Sequence, residues 1–490
     1  MTFNLQSLSH IGQQAFEISL RDSFSLQVEA IVRRVPNKRL VCRGVWNKQP
    51  VYAKLFIGNN AKRYAQRDKQ GVEFLVKAHI ATPDLLFAGT TDDSATEVLI
   101  YQAIENSENA EVAYMREPNQ AARFALATKI VREVAKHHNA NLLQTDLYLK
   151  NFLIKNGLVY TLDGDGVRQH SKLSERQALK NFSVLLSKFD VIEIESWLSY
   201  LVKTYVEIRA WQATPDLTAI KNMVNQHRKK VANYYADKKV FRQCTDVQIH
   251  QHNNYFVAIS NQFSLKSLPK NSKDCDVLIA SQKRIKNGNT CTVALAQIDA
   301  MGVVIKRYNI KSVWHGVNRS LRQTRAAVSW ANAHRLKLLD IATAAPIALI
   351  EERRFGSSNF GLRGKAYFLS EYIDAPDVAE FLAETRDKAQ QMDTVRNIAA
   401  LFYRLYLLQI SHGDMKASNI KIVDKKPLLI DLDSMQQHQF DWLALRAHAR
   451  DLHRFMQNWQ EMPALYNAFV KAFKMVYADH RPLRLAHIIQ

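Results

Sequence analysis

Two stretches of the chain repeat one set of oxygen-bearing side chains at one spacing. In LLQTDLYLKNFLIKNGLVYTLDGDGV (142–167), Asp146 is followed five positions later by Asn151, and twelve positions after that by the Asp-x-Asp of Asp163 and Asp165. ISHGDMKASNIKIVDKKPLLIDLDSM (410–435) carries Asp414, Asn419, Asp431 and Asp433, each 268 residues further on. A loop carboxylate can take or orient the proton of an attacking hydroxyl. An Asn carbonyl and a further carboxylate are hard oxygen ligands, which Mg²⁺ accepts alongside phosphate oxygens. The chemistry indicated is metal-assisted phosphoryl transfer. Taken singly, the Asp residues could be turn formers and the Asn residues caps at strand starts. One offset shared by all four makes that plainer explanation poor. Asp165 and Asp433 keep two roles open, a second metal ion or a cap of the next segment.

The neighbouring patterns predict what holds these groups. FLI with VYTL, and NIKI with PLLI, are β-rich runs parted by a turn (KNG; DKKP), which predicts a hairpin in each repeat. The Asp and Asn then lie in the loop entering the hairpin, and the Asp-x-Asp at its exit. Upstream, ARFALATKIVREVAKHH (122–138) and TVRNIAALFYRLYLLQ (394–409) have helical apolar spacing; RQALKNFSVLLSKF and ARDLHRFMQNW read likewise downstream. Nearer each start, EAIVRRVP, RLVCRGVW and PVYAKLF predict three antiparallel strands with Lys54 on the third, then the helical YAQRDKQGVEFLVKAH with Glu73. DVLIAS, CTVALAQI and GVVIKRYN predict the counterpart, with Lys306 on the third. HRKKVANYYADKKVFRQ is a basic, helix-compatible connector. With 490 residues, the expectation is two domains, 1–235 and 236–490.

Lys on a third strand, Glu on the next helix, Asp and Asn in a loop and Asp after a hairpin form the working set of a protein-kinase-like phosphotransferase. Lys54 and Lys306 would neutralise nucleotide phosphates, and Glu73 would hold Lys54. Asp146 and Asp414 would serve as catalytic bases. Asn151, Asp163, Asn419 and Asp431 would hold metal. The predicted fold class is α+β, two tandem protein-kinase-like domains, each with a strand-rich N-lobe and a helical C-lobe. A lone strand lysine is more often solvated, and a helix Glu such as Glu73 is ordinarily a surface residue.

HGDMKASN with LIDLDSM, TDLYLKN with LDGDGV, and IKNGNTCTVALAQIDAMGVVIKRYNIKSVW (285–314) resemble the lipopolysaccharide core kinases that phosphorylate heptose or Kdo sugars. The resemblance implies ATP and Mg²⁺ as cofactors and an alcohol group of the lipopolysaccharide inner core as acceptor, and places Asn287-Gly288-Asn289 at the phosphate-covering turn. The motifs do not choose the sugar. The sequence also departs from the pattern. Gln144-Thr145-Asp146 stands where the second repeat has His412-Gly413-Asp414, which weakens support of that loop. The first hairpin turn, VPNKR, lacks glycine; TRAAVSWANAHRL offers no helix Glu; and Asn181 stands where the second repeat has Asp451, a carboxylate suited to bracing the catalytic loop. Each half is imperfect in a different place. One active domain beside a pseudokinase scaffold, and a kinase for a protein or small molecule, therefore stay open.

Composition narrows the setting. Lys and Arg number 67 against 46 Asp and Glu, a formal charge of +21 that calls for an anionic partner. Arg228, Lys229, Lys230, Lys238, Lys239 and Arg242 cluster at the connector, and Lys311, Arg319, Arg322 and Arg325 after Lys306. Such runs are usually solvated faces, but near an anionic membrane each charge adds about 1 kcal/mol. Lipopolysaccharide or another anionic glycolipid, at the cytoplasmic membrane surface, is the expected partner; no zinc-finger, RRM or KH signature supports nucleic acid. Cys42, Cys244, Cys275 and Cys291 lack CxxC spacing, the first residues lack a secretory pattern, and no apolar run is long enough to span a bilayer. The expectation is a cytoplasmic protein, peripheral on the inner membrane face. His137-His138 reads as a helix C-terminal pair rather than a metal site, and Trp211, Trp314, Trp330 and Trp459 as packing residues.

Overall fold

The computed structural model describes residues 12–21, 24–35, 38–252, 254–263, 268–287, 291–308, 323–354 and 362–490. The chain divides into two units, Met1–His227 and Arg228–Gln490. The sequence places the division at 235/236; the observed one falls within a helix, Leu217–Asp237.

The first unit opens with β1 (Gly12–Leu20), β2 (Phe24–Val35), β3 (Arg39–Trp46) and β4 (Gln49–Phe56), then helix α1 (Ala61–Lys77), β5 (Leu85–Thr90) and β6 (Glu97–Gln102). These strands form a six-stranded antiparallel sheet in the order β1-β2-β3-β4-β6-β5, twice the three strands that the sequence pattern predicts. Alternation along β4 decides which side chains face which layer. Val51, Ala53 and Leu55 join Leu40, Cys42, Val98 and Ile100 in one core. Lys54 therefore points to the opposite face. On α1 the buried positions Ala61, Ala65, Asp68, Val72 and Leu75 follow helical spacing. Asp68 is the only charged residue on that stripe.

The remainder of the unit is mainly helical: β7 (Glu108–Asn109), α2 (Ala110–Arg116), α3 (Gln120–Asn139), β8 (Leu142–Gln144), the hairpin β9 (Phe152–Lys155) with β10 (Leu158–Thr161), β11 (Val167–Gln169), α4 (Glu175–Leu186), α5 (Val191–Ile208) and α6 (Leu217–Asp237). Phe152, Phe182, Trp197 and Tyr205 centre its core, and Trp211 packs against it.

The second unit carries β12 (Val247–His252), β13 (Tyr255–Ser260), α7 (Ser272–Ser281), β14 (Lys283–Asn287), β15 (Cys291–Ile298), β16 (Met301–Tyr308), α8 (Arg325–Leu338), β17 (Pro346–Arg354) and β18 (Leu362–Glu371). Seven strands pair in the order β12-β13-β17-β18-β16-β15-β14. DVLIAS, expected as a strand, is the end of α7. Asn271 caps that helix by accepting from Asp274 N, and Cys275 and Ile279, four apart, face the core. A short apolar run cannot by itself distinguish strand from helix.

Beyond the sheet come α9 (Val378–Glu384), α10 (Lys388–Leu407), β19 (Ile410–Ser411), the hairpin β20 (Ile420–Val423) with β21 (Lys426–Leu429), β22 (Gln436–Gln437), α11 (Asp441–Met456), α12 (Pro463–Val476) and α13 (Arg481–Leu485). Phe402 packs against Phe455 and Phe473, and Phe455 against Phe469, edge to face or tilted in the helical core. Trp330 and Trp459 are fully buried, while Trp314 lies outside the described residues. All four cysteines are free, and no described helix is long and apolar enough to cross a membrane.

Candidate active sites

The repeated residues are held by repeated hydrogen bonds. Asn151 Nδ2 donates to the Asp146 carbonyl at 2.8 Å, and Asn419 Nδ2 to the Asp414 carbonyl at 2.8 Å. Each Asn backbone carbonyl in turn accepts from the residue just past the hairpin, from Leu162 N at 2.8 Å and Ile430 N at 3.0 Å. Both Asn side chains thus spend their nitrogen on the loop, which leaves Oδ1 as the atom free to meet a cation. Asp163 and Asp431 adopt left-handed backbone, φ 65° and 62°, each ahead of a 3₁₀ turn. Short polar residues tolerate that conformation best after glycine. Gln144 Nε2 donates to Leu162 O at 3.0 Å, where His412 Nε2 donates to Ile430 O at 2.9 Å. The missing histidine of the first repeat is therefore replaced in its contact, contrary to the weakening expected from sequence.

In the first unit, strand, helix and turn converge on one ionic cluster. Lys54 Nζ lies 2.6 Å from Asp68 Oδ2 and 3.1 Å from Asp163 Oδ1. Tyr101 OH donates to Asp68 Oδ1 at 2.6 Å. Arg39, buried at the start of β3, grips Asp163 with both terminal nitrogens at 3.2 Å and sits 3.6 Å from Asp68. Lys38 lies 3.4 Å from Asp165, whose other oxygen takes Arg67. Burial alone would raise the Asp163 pKa, but the charges of Lys54 and Arg39 hold it well below the usual carboxylate range. Asp165 is lowered likewise, burial being outweighed by Arg67 and Lys38. A cavity of about 870 Å³ runs past Lys54, Asn151 and Asp163. Gly71 lets α1 approach this turn, since a Cβ there would stand 2.0 Å from the Gly164 carbonyl.

Among the described residues of the second unit, the same positions are less crowded with charge. Lys306 Nζ bonds Asp431 Oδ1 at 2.8 Å, and Arg325 reaches Asp433 at 2.6 Å. Burial pushes the Asp431 pKa up, and Lys306 more than reverses it. Helix α8 contains no acidic residue, so it offers Lys306 no carboxylate. Asn332 instead ties α8 to the turn, donating to Leu432 O at 3.0 Å and Met435 O at 2.8 Å. Asp414 lies between Arg454 at 2.5 Å and Lys416 at 3.6 Å. Behind it, Asp451 accepts from His412 N at 2.6 Å and Gly413 N at 3.0 Å. That bracing needs glycine: Gly413 has φ 80°, and a Cβ would meet Ser434 O at 2.6 Å. Burial pushes the Asp451 carboxyl up to about 6 against the pull of these two N–H groups.

Glu73 is not at the site. It is exposed and lies 3.8 Å from Lys69 on the outer face of α1. Asp68 occupies the position opposite Lys54, because only the 61-65-68-72-75 stripe faces the sheet. Asn287 ends β14, and Gly288 and Asn289 lie outside the described residues, as do Lys311, Arg319 and Arg322. Asp146 is exposed and has no ion-pair partner among the described residues; Tyr148 stands where the second repeat has Lys416. His137 and His138 are buried, bonding Thr161 at 3.0 Å and Asn181 at 3.0 Å, and burial lowers them to about 3 and about 4. They are neutral braces, desolvation outweighing the helix-end field. Asn181 passes the support on, donating to Gln144 O at 3.0 Å.

Residues 281–477 match the family model described as the lipopolysaccharide kinase (Kdo/WaaP) family. That family is kinase-like, and the mixed α/β architecture is consistent with such a fold. A solved structure described as WaaP in complex with acyl carrier protein is similar at 16% identity and a TM-score of 0.33, over 42% of this chain and 90% of that one. No curated protein matches the chain.

Proposed function

Proceeding from the kinase-family match over residues 281–477, we propose that the second unit transfers the γ-phosphate of ATP to a sugar hydroxyl, heptose or Kdo, of the lipopolysaccharide inner core. The observation that carries this reading is the setting of Asp414. Its carboxylate lies beside Arg454 and Lys416, and its backbone carbonyl is tied to Asn419. Asp414 accepts the proton of the sugar hydroxyl as that oxygen bonds the γ-phosphorus and the bond to the ADP oxygen breaks. Lys416 and Arg454 stabilise charge on the transferred group, and Lys306 holds the remaining phosphates.

The metal reading rests on donor chemistry. Among the described residues, no three His, Cys, Asp or Glu side chains form a metal cage. Asn419 Oδ1 and the Asp431 carboxylate are hard oxygens that phosphate oxygens and water would complete, a set suited to Mg²⁺. When bound there, the ion would neutralise the phosphate oxygens and orient them. Asp433 is paired with Arg325 and is the weaker second candidate.

An anionic, lipid-linked acceptor at the inner face of the cytoplasmic membrane is supported by a groove of about 760 Å³ along α11. It is lined by Trp442, Arg446, Arg450 and His453, with no acidic residue among its lining. Phe440 and Trp442 are 60% and 56% exposed beside it. Such a mix of aromatic and cationic side chains suits an anionic amphiphile.

The test is transfer of labelled γ-phosphate to core lipopolysaccharide, to a peptide library and to small polyols, with and without EDTA. Label is expected in lipopolysaccharide alone, and only without EDTA. Label confined to peptides or polyols would sink the acceptor assignment.

A further inference from the structure

The two repeats differ most where a metal would sit. Both oxygens of Asp163 are taken: Oδ1 by Lys54 at 3.1 Å and by Arg39 at 3.2 Å, Oδ2 by the second Arg39 nitrogen at 3.2 Å. Arg39 keeps its charge at any working pH, so it cannot yield by deprotonation. Lys38 and Arg67 take the two oxygens of Asp165. Asp431, by contrast, bonds Lys306 through one oxygen and is 37% exposed, against 15% for Asp163. The first repeat therefore does not fit a divalent cation, although its Asn-and-Asp motif is intact. Mg²⁺ at Asp163 would have to displace a buried guanidinium or sit against it.

The first cleft is nevertheless open and built for an anion. Its volume of about 870 Å³ lies within the range of ligand pockets. Five basic and three acidic side chains line it; Glu29 and Arg43 pair with each other, which leaves Arg33, Arg39, Lys54 and Lys150 against Glu105 and Asp163. Asp68 and Tyr101 fix Lys54 from behind, an arrangement with no counterpart among the described residues of the second unit. Asp146 has neither a lysine two positions on nor an ion-pair partner among the described residues.

We propose that the first cleft binds a nucleoside polyphosphate without a divalent metal, with Arg39 standing on Asp163 in the metal's place, and that it does not transfer the phosphate. The inference rests on the kinase reading of the repeat. It makes the first unit a nucleotide-binding unit and leaves transfer to the second.

The experiment is equilibrium binding of ATP to the full chain carrying Asp431→Asn, in EDTA and in Mg²⁺. One equivalent of ATP is expected to bind in EDTA and to gain nothing from Mg²⁺. Lys54→Ala on that background is expected to weaken it about tenfold, the loss of one charge-assisted contact. Lys150→Glu, an exposed change on the cleft rim, should weaken it too, and guards against a folding defect in the buried variant. Asp163→Asn should tighten it by removing a carboxylate from beside the phosphates. No binding in EDTA, or binding that requires Mg²⁺ and is lost in Asp163→Asn, would overturn the proposal. The Mg²⁺-dependent equivalent of the wild type, absent from Asp431→Asn, reports separately on the kinase reading of the second unit.

Discussion

Lys54 and Lys306 occupy like places on their strands, yet their partners differ. Among the described residues, Lys54 is shared by two carboxylates and Lys306 meets one. The Asp, Asn and Asp of each repeat are legible in sequence because a loop and a hairpin fix their spacing locally. The helix carboxylate is legible only by following the buried stripe of α1, which passes through Asp68 and leaves Glu73 outside. Arg39 carries no sequence signal, since its partner lies 124 residues away. The two acids separate these readings in a denaturation experiment. Asp68→Ala leaves Lys54 and Arg39 with one shared carboxylate in a buried site and is expected to destabilise the first unit by about 3–5 kcal/mol. Glu73→Ala removes an exposed pair and should change stability by no more than about 0.5 kcal/mol. Equal effects from the two would contradict the assignment.

Helix α11 braces the Asp414 loop of the second unit through one carboxylate, and α4 braces the Asp146 loop of the first through an amide. The hairpins and the long helices beside them follow from period and turn chemistry. The added sheet strands and α7 do not, because pairing partners rather than local pattern decide them. The carboxylate brace has a pH signature. Burial raises Asp451 in the folded chain to about 6 from its ordinary 3.8. A raised carboxyl contributes stability that is complete below the unfolded pKa and is lost as pH rises through the folded one. Asp451→Asn removes this titration and replaces one acceptor oxygen with an NH₂ group facing an N–H donor, a cost of about 1–3 kcal/mol. The stability gap between wild type and Asp451→Asn, read from urea midpoints, should therefore be widest near pH 4 and narrow toward pH 7. A gap that widens with pH would mean the carboxylate, not the acid, is the form the fold prefers.

Across the whole chain, the repeated motif is the most legible feature, since a single offset of 268 residues carries four chemical groups at once. The difference between the copies is the least legible. It lies in Lys38, Arg39 and Arg67, which occupy the first pair of acidic residues, and in Lys416 and Arg454, which flank Asp414 and have no ion-pair counterpart at Asp146 among the described residues. Two near-identical motifs thus sit in opposite electrostatic settings. One is already neutralised by fixed guanidinium and ammonium groups, and the other keeps a carboxylate and an amide oxygen available. The central claim is that only the second copy transfers phosphate. Single-turnover transfer from Mg-ATP to core lipopolysaccharide, with wild type, Asp146→Ala and Asp414→Ala side by side, tests it most directly. Asp414→Ala is expected to slow transfer by about a hundredfold or more, the usual loss of a general base, while Asp146→Ala keeps the wild-type rate. Partial loss in both variants, or loss in Asp146→Ala alone, would contradict the account.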